Sequence, residues 1–146
     1  MKKSVRVKQR DITDCGAACL ASIAAFHNLK LPVSRIRQLA STDKKGTNVL
    51  GLLEAAQKLG FDAKGVRGEF ESLFKIPKPT IAHVIIKEVL HHYVVIYNAT
   101  KTHIEVMDPA HGEAVRYTHD EFKKIWTGVL VLLWPGQNFE AGDKKT

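Results

Sequence analysis

The sequence predicts an α+β domain in which N-terminal helices pack on a C-terminal antiparallel sheet. Three observations predict it. The run from Cys15 to Phe26 is made of small and apolar residues with no polar face. Val49, Leu52, Leu53, Ala56 and Leu59 then repeat at helical spacing. From Pro79 onward the chain changes to short β-rich runs joined by a few residues, which favours antiparallel hairpins over helical crossovers.

Taken in order, the first helix starts at Cys15, where Thr13 or Asp14 can cap it, and must be buried on nearly every side because nothing on it prefers water. A short helix follows from Ser34 to Ala40, with Ile36 and Leu39 inward and Arg35, Arg37 and Gln38 outward. The next helix, capped by Thr47, runs to a stop at Gly60. The first half therefore reads as helical. The strands are Thr80 to Ile86, His92 to Asn98, Thr102 to Met107, Ala114 to Thr118 and Val129 to Trp134. Between the last two, Thr118 caps a helix that Phe122, Ile125 and Trp126 pack on the sheet.

At 146 residues and 45% hydrophobic, the chain fits one domain with a real core and is too short for two. We expect that domain to occupy residues 1–139, with 140–146 a polar tail that frays or begins a linker. No stretch is long and apolar enough for a membrane-spanning helix, and the first residues lack the apolar region of a signal peptide, so the chain as given is expected to be soluble and unexported. The net charge of +7 suits an acidic partner. A nucleic acid is not expected, because the sequence carries no finger, helix-turn-helix or aromatic-rich single-strand motif.

The chemistry concentrates around Cys15. Unpaired backbone N–H groups and the dipole at a helix start stabilise a thiolate. Position alone leaves open whether Cys15 is a nucleophile or a packing residue. Cys19, one turn further in among Ala18, Leu20 and Ile23, reads as core. A relaxed disulfide between the two is awkward at that spacing, which points to a reducing compartment. Zinc fits the pair poorly, since no second Cys/His pair completes a tetrahedral site.

A thiol nucleophile needs a base and a group that orients the base. Of the seven histidines, His92 opens a strand and can project from the sheet's end toward a helix. Asp108 closes the neighbouring strand before Pro109, and a hairpin around residues 98–101 would set it beside His92. His27, His83, His91, His103, His111 and His119 occupy helix-end, strand, turn or cap positions and read as structural. Gln9, six residues before Cys15, could aim its amide at the oxygen of an attacked carbonyl alongside the Cys15 N–H, although a glutamine there is ordinarily a surface residue.

The ordered residues Gln9, Thr13-Asp14-Cys15-Gly16-Ala17-Ala18-Cys19-Leu20, His92-Tyr93-Val94-Val95 and Asp108-Pro109 resemble the N-terminal cysteine peptidase domain of peptidase-containing ABC transporters, which mature and export bacteriocins and lanthipeptides. The resemblance covers nearly the whole chain. It implies a papain-like fold and cleavage of a leader peptide after a double-glycine motif. It also implies that Cys15 is the nucleophile, His92 the base, Asp108 the orienting carboxylate and Gln9 the oxyanion donor, with no cofactor for the peptidase domain. The implied partners are an amphipathic leader helix ending in Gly-Gly, docked in a groove, and the transmembrane and nucleotide-binding domains of a parent transporter on the cytoplasmic side of the bacterial membrane. Apolar residues between Thr47 and Phe70 are the first place to look for that groove. Some relatives lack the cysteine and only dock the leader; here Cys15 is present.

Overall fold

The computed structural model describes residues 15–40, 48–88, 90–109 and 112–143. In chain order they form α1 (Cys15–Phe26), β1 (Leu29–Lys30), α2 (Val33–Leu39), α3 (Val49–Lys58), β2 (Phe61–Arg67), a 3₁₀ turn (Phe70–Phe74), β3 (Thr80–Ile86), β4 (Leu90–Ala99), β5 (His103–Asp108), β6 (Glu113–Thr118), α4 (His119–Ile125), β7 (Trp126–Pro135) and β8 (Gly142–Asp143). The architecture is α+β, as the periodicity predicts.

Helix α1 is central because its composition leaves it nowhere else to go. Every residue from Gly16 through Ala24 is buried. Its one interior hydroxyl, on Ser22, donates back to the Ala18 carbonyl at 2.9 Å and so carries no unmet polar group into the core. The main sheet has six strands in the order β2-β7-β3-β4-β5-β6, all paired antiparallel. Strand alternation splits its apolar residues between two layers. Ile81, Val95, Met107, Val131 and Leu133 join Leu20, Ile23, Ile36 and Leu52 of the three N-terminal helices. Ala82, Val84, Val94, Ile96, Val106 and Leu130 meet Leu73 and Phe122 on the other side.

Several details depart from expectation. The first half is not wholly helical: β2 lies within it and pairs along its length with β7. Its sequence, Phe61-Asp62-Ala63-Lys64-Gly65-Val66-Arg67, lacks a clean alternation because β2 is an edge strand, where charged residues belong. Gly65 gives α3 room there, since a Cβ would come within 3.3 Å of the Val49 side chain.

The cap of α3 is Asn48, whose side chain accepts from the Gly51 N–H at 2.8 Å; asparagine is the stronger N-cap type, and Thr47 lies outside the described residues. Trp126 begins β7 rather than extending α4. The cap of α4 is as expected, a reciprocal box in which Thr118 accepts from the Glu121 N–H and Glu121 accepts from the Thr118 N–H. Within the polar tail, Gly142 and Asp143 pair in parallel with Leu29 and Lys30. Gly60 lets the tail approach: its φ is +97° and a Cβ would meet Phe139 Cα at 2.8 Å.

Candidate active site

Cys15 is the first residue of α1, half-buried and free. The residues before it, including Gln9 and the expected caps Thr13 or Asp14, lie outside the described residues. Cys19 is fully buried one turn further along. Burial, reinforced by the nearby Cys15 and Asp108 charges, pushes its thiol pKa well above the ordinary value. It is a neutral, inert part of the core, as its neighbours predict.

The antiparallel pairing of β4 and β5 sets Val95 opposite Met107. The start of β4 therefore runs alongside the end of β5, and the loop at residues 100–102 closes the hairpin. His92 and Asp108 meet there, both buried, with Nε2 and Oδ1 2.7 Å apart. That distance is typical of a charge-assisted hydrogen bond. Because Nε2 is engaged, Nδ1 is the nitrogen available to the thiol, and Cys15 lies near enough to help raise the His92 pKa. Burial alone would lower the His92 pKa, but the hydrogen bonds and charges of Asp108 and Cys15 outweigh it and raise the value to about 9. The imidazole is therefore protonated at neutral pH.

The structure thus brings together Cys15, His92 and Asp108 from one helix start and two strand ends. Tyr93, which sequence reasoning did not single out, belongs to the same neighbourhood. Burial first, then Cys15 and Cys19, push its phenol up to about 12, so it stays a neutral hydrogen-bonding group. Its place directly after His92 was the available signal. Among the described residues, no cluster of three or more His, Cys, Asp and Glu could hold a metal ion.

A helix that presents a thiol to an imidazole held on an antiparallel sheet is the arrangement of a cysteine peptidase of papain-like fold. The chain belongs to the Peptidase C39 family, which its residues 3–138 match. It is a C39 cysteine peptidase domain. It is 39% identical over 142 residues to the lactococcin-G-processing and transport ATP-binding protein LagD of Lactococcus lactis subsp. lactis, covering 96% of this chain and 20% of LagD. The chain spans about a fifth of the length of such relatives.

Among solved structures, the peptidase domain of Streptococcus ComA, a bifunctional ABC transporter of a quorum-sensing pathway, superposes with a TM-score of 0.85 at 34% identity, covering 91% of this chain and 99% of that one. A double-glycine motif protease from an AMS/PCAT transporter, solved with its leader peptide, gives 0.83 at 31% identity, covering 91% of this chain and 92% of that one.

Proposed function

We propose that this domain removes the leader from a precursor peptide by cleaving after two glycines, and that Cys15, His92, Asp108 and Gln9 do the chemistry. The observation that carries the assignment is the buried His92–Asp108 hydrogen bond with the Cys15 thiol beside it at the start of α1. With the proton that the two groups share held on His92, the Cys15 thiolate attacks the carbonyl carbon of the second glycine. The Gln9 amide and the Cys15 backbone N–H receive the oxyanion. His92 then gives its proton to the departing amine. Water, deprotonated by His92, hydrolyses the thioester and restores the thiol. Asp108 holds the ring with Nδ1 toward sulfur and stabilises the imidazolium.

Double-glycine specificity is supported by the family and by the protease whose solved structure contains its leader peptide. The relatives are transport and processing ATP-binding proteins of which this chain matches a fifth. We therefore read it as the peptidase part of such a transporter, on the cytoplasmic side of the bacterial membrane, coupled to transmembrane and nucleotide-binding domains. The leader would dock as an amphipathic helix. Leu50, 64% exposed on α3 beside half-buried Leu53, is the leading apolar contact within the stretch marked from sequence. The net charge of +7 suits an acidic leader.

Mass spectrometry of leader peptides incubated with the domain tests this reading. Peptides in which the leader's Gly-Gly is followed by further residues should be cut after the second glycine, and Gly-Ala and Ala-Gly variants should resist. Cleavage that ignores the glycines would overturn the specificity.

A further inference from the structure

Strands β3 and β4 carry a histidine pair, His83 and His91, that takes no part in the peptidase chemistry. His83 lies opposite Tyr93, so His91, two residues earlier on β4, is its diagonal neighbour on the same face of the sheet. The two imidazoles stack with centroids 5.1 Å apart, and His91 Nδ1 lies 3.1 Å from His83 Nε2.

The far side of His83 favours one tautomer. Thr127 Oγ1 donates its single proton to the His83 carbonyl at 3.0 Å. It also accepts from the Val129 N–H at 3.3 Å. Toward His83 Nδ1, 3.0 Å away, the arrangement that satisfies all three contacts at once has the hydroxyl accept. His83 accordingly carries its proton on Nδ1 and turns a bare lone pair on Nε2 toward His91, which fills it with its own Nδ1–H.

We propose that His83 Nε2 and His91 Nδ1 form a two-point binding site for a borderline divalent transition metal of the zinc class, on the strand pair that carries the catalytic histidine. The spacing suits it: nitrogens 3.1 Å apart, each about 2.1 Å from an ion, subtend about 95° there. Thr127 supplies the outer-shell partner that a metal-bound imidazole characteristically has on its other nitrogen. All-nitrogen donors select zinc, copper or nickel over calcium and magnesium.

Loading exchanges one hydrogen bond for two coordinate bonds. The His91 proton moves from Nδ1 to Nε2, the rings turn so that each lone pair swings off the line between the two nitrogens onto the ion, and no net proton is released. With two protein ligands, the remaining positions stay open to water or to a donor group on a bound peptide. The Tyr93 ring, 5.3 Å from that of His83, links the site to the active one.

The test is a titration of zinc ions into chelator-stripped Cys15→Ala protein, followed by proton–nitrogen correlation spectra of the imidazoles. The substitution removes the catalytic thiol as a competing ligand. One equivalent should shift His83 Nε2 and His91 Nδ1 together and convert His91 to its Nε2–H tautomer, while His103 and His119 stay in place. His91 is exposed, so His91→Gln should fold normally, and it should weaken zinc binding by about tenfold or more, at least the loss that an outer-shell partner alone brings. Shifts confined to other histidines, no shift up to millimolar zinc, or unchanged affinity in His91→Gln would each overturn the site.

Discussion

Cys15 and Cys19 are the same residue on the same helix, one turn apart, and the structure gives them opposite fates. Cys15 sits in the first turn, half-buried, with His92 as its partner. Cys19 sits where no water and no base reaches it, and its thiol is held neutral by burial. Sulfur chemistry is thus set by the helix start and by the sheet edge that meets it. One turn of helix separates the proposed nucleophile from a piece of packing.

The largest effects should come from the first turn. Cys15→Ala should lower kcat for leader cleavage by about 10⁴-fold or more, with the melting temperature nearly unchanged; assays with a double-glycine peptide and calorimetry read both. Cys19→Ser is the mirror experiment. It should leave kcat within about twofold and cost about 1–3 kcal/mol of stability by burying a hydroxyl in an apolar site, measured by denaturant unfolding.

Between these lies Asp108→Asn, which keeps the shape but removes the charge that supports the imidazolium. It should lower kcat by about 10²-fold, the range of general acid–base catalysis. The pH profile sharpens the same point. With His92 raised to about 9, kcat/KM should fall as pH climbs through that value and the imidazolium is lost. In Asp108→Asn that limb should move to lower pH, because a raising influence has gone. The raised value also stabilises the fold, with the contribution complete below the unfolded histidine value of about 6.5 and lost as pH rises through about 9.

The smallest change belongs to the surface. Leu50→Ser, at a residue 64% exposed, should alter stability by no more than about 0.5 kcal/mol. It should raise KM for a leader-bearing peptide severalfold while leaving kcat alone.

Much of this was legible in the sequence because the relevant signals are local or periodic. The apolar run of α1 announces a buried helix, and the Thr118–Glu121 box announces α4. The His92–Asp108 meeting follows from hairpin geometry once both strands are recognised. Strand β2 was not legible, because its charges and Gly65 obey an edge position and the closeness of α3, which are tertiary facts. The β1–β8 pair joins residues far apart in the chain through only two positions each, too short for any pattern. The His83–Thr127 contact was hidden for the same reason, since a hydrogen bond across β3 and β7 leaves no spacing to read. Gln9 lies outside the described residues, and its role rests on the family resemblance.

The most direct test of the contrast between the two thiols is the rate of alkylation by iodoacetamide at neutral pH, measured separately on Cys19→Ala and Cys15→Ala proteins. The account predicts that Cys15 reacts much faster than free cysteine, loses that advantage in His92→Ala, and that native Cys19 stays unlabelled until the protein unfolds. Labelling of Cys15 no faster than free cysteine, or a rate indifferent to His92, would contradict it.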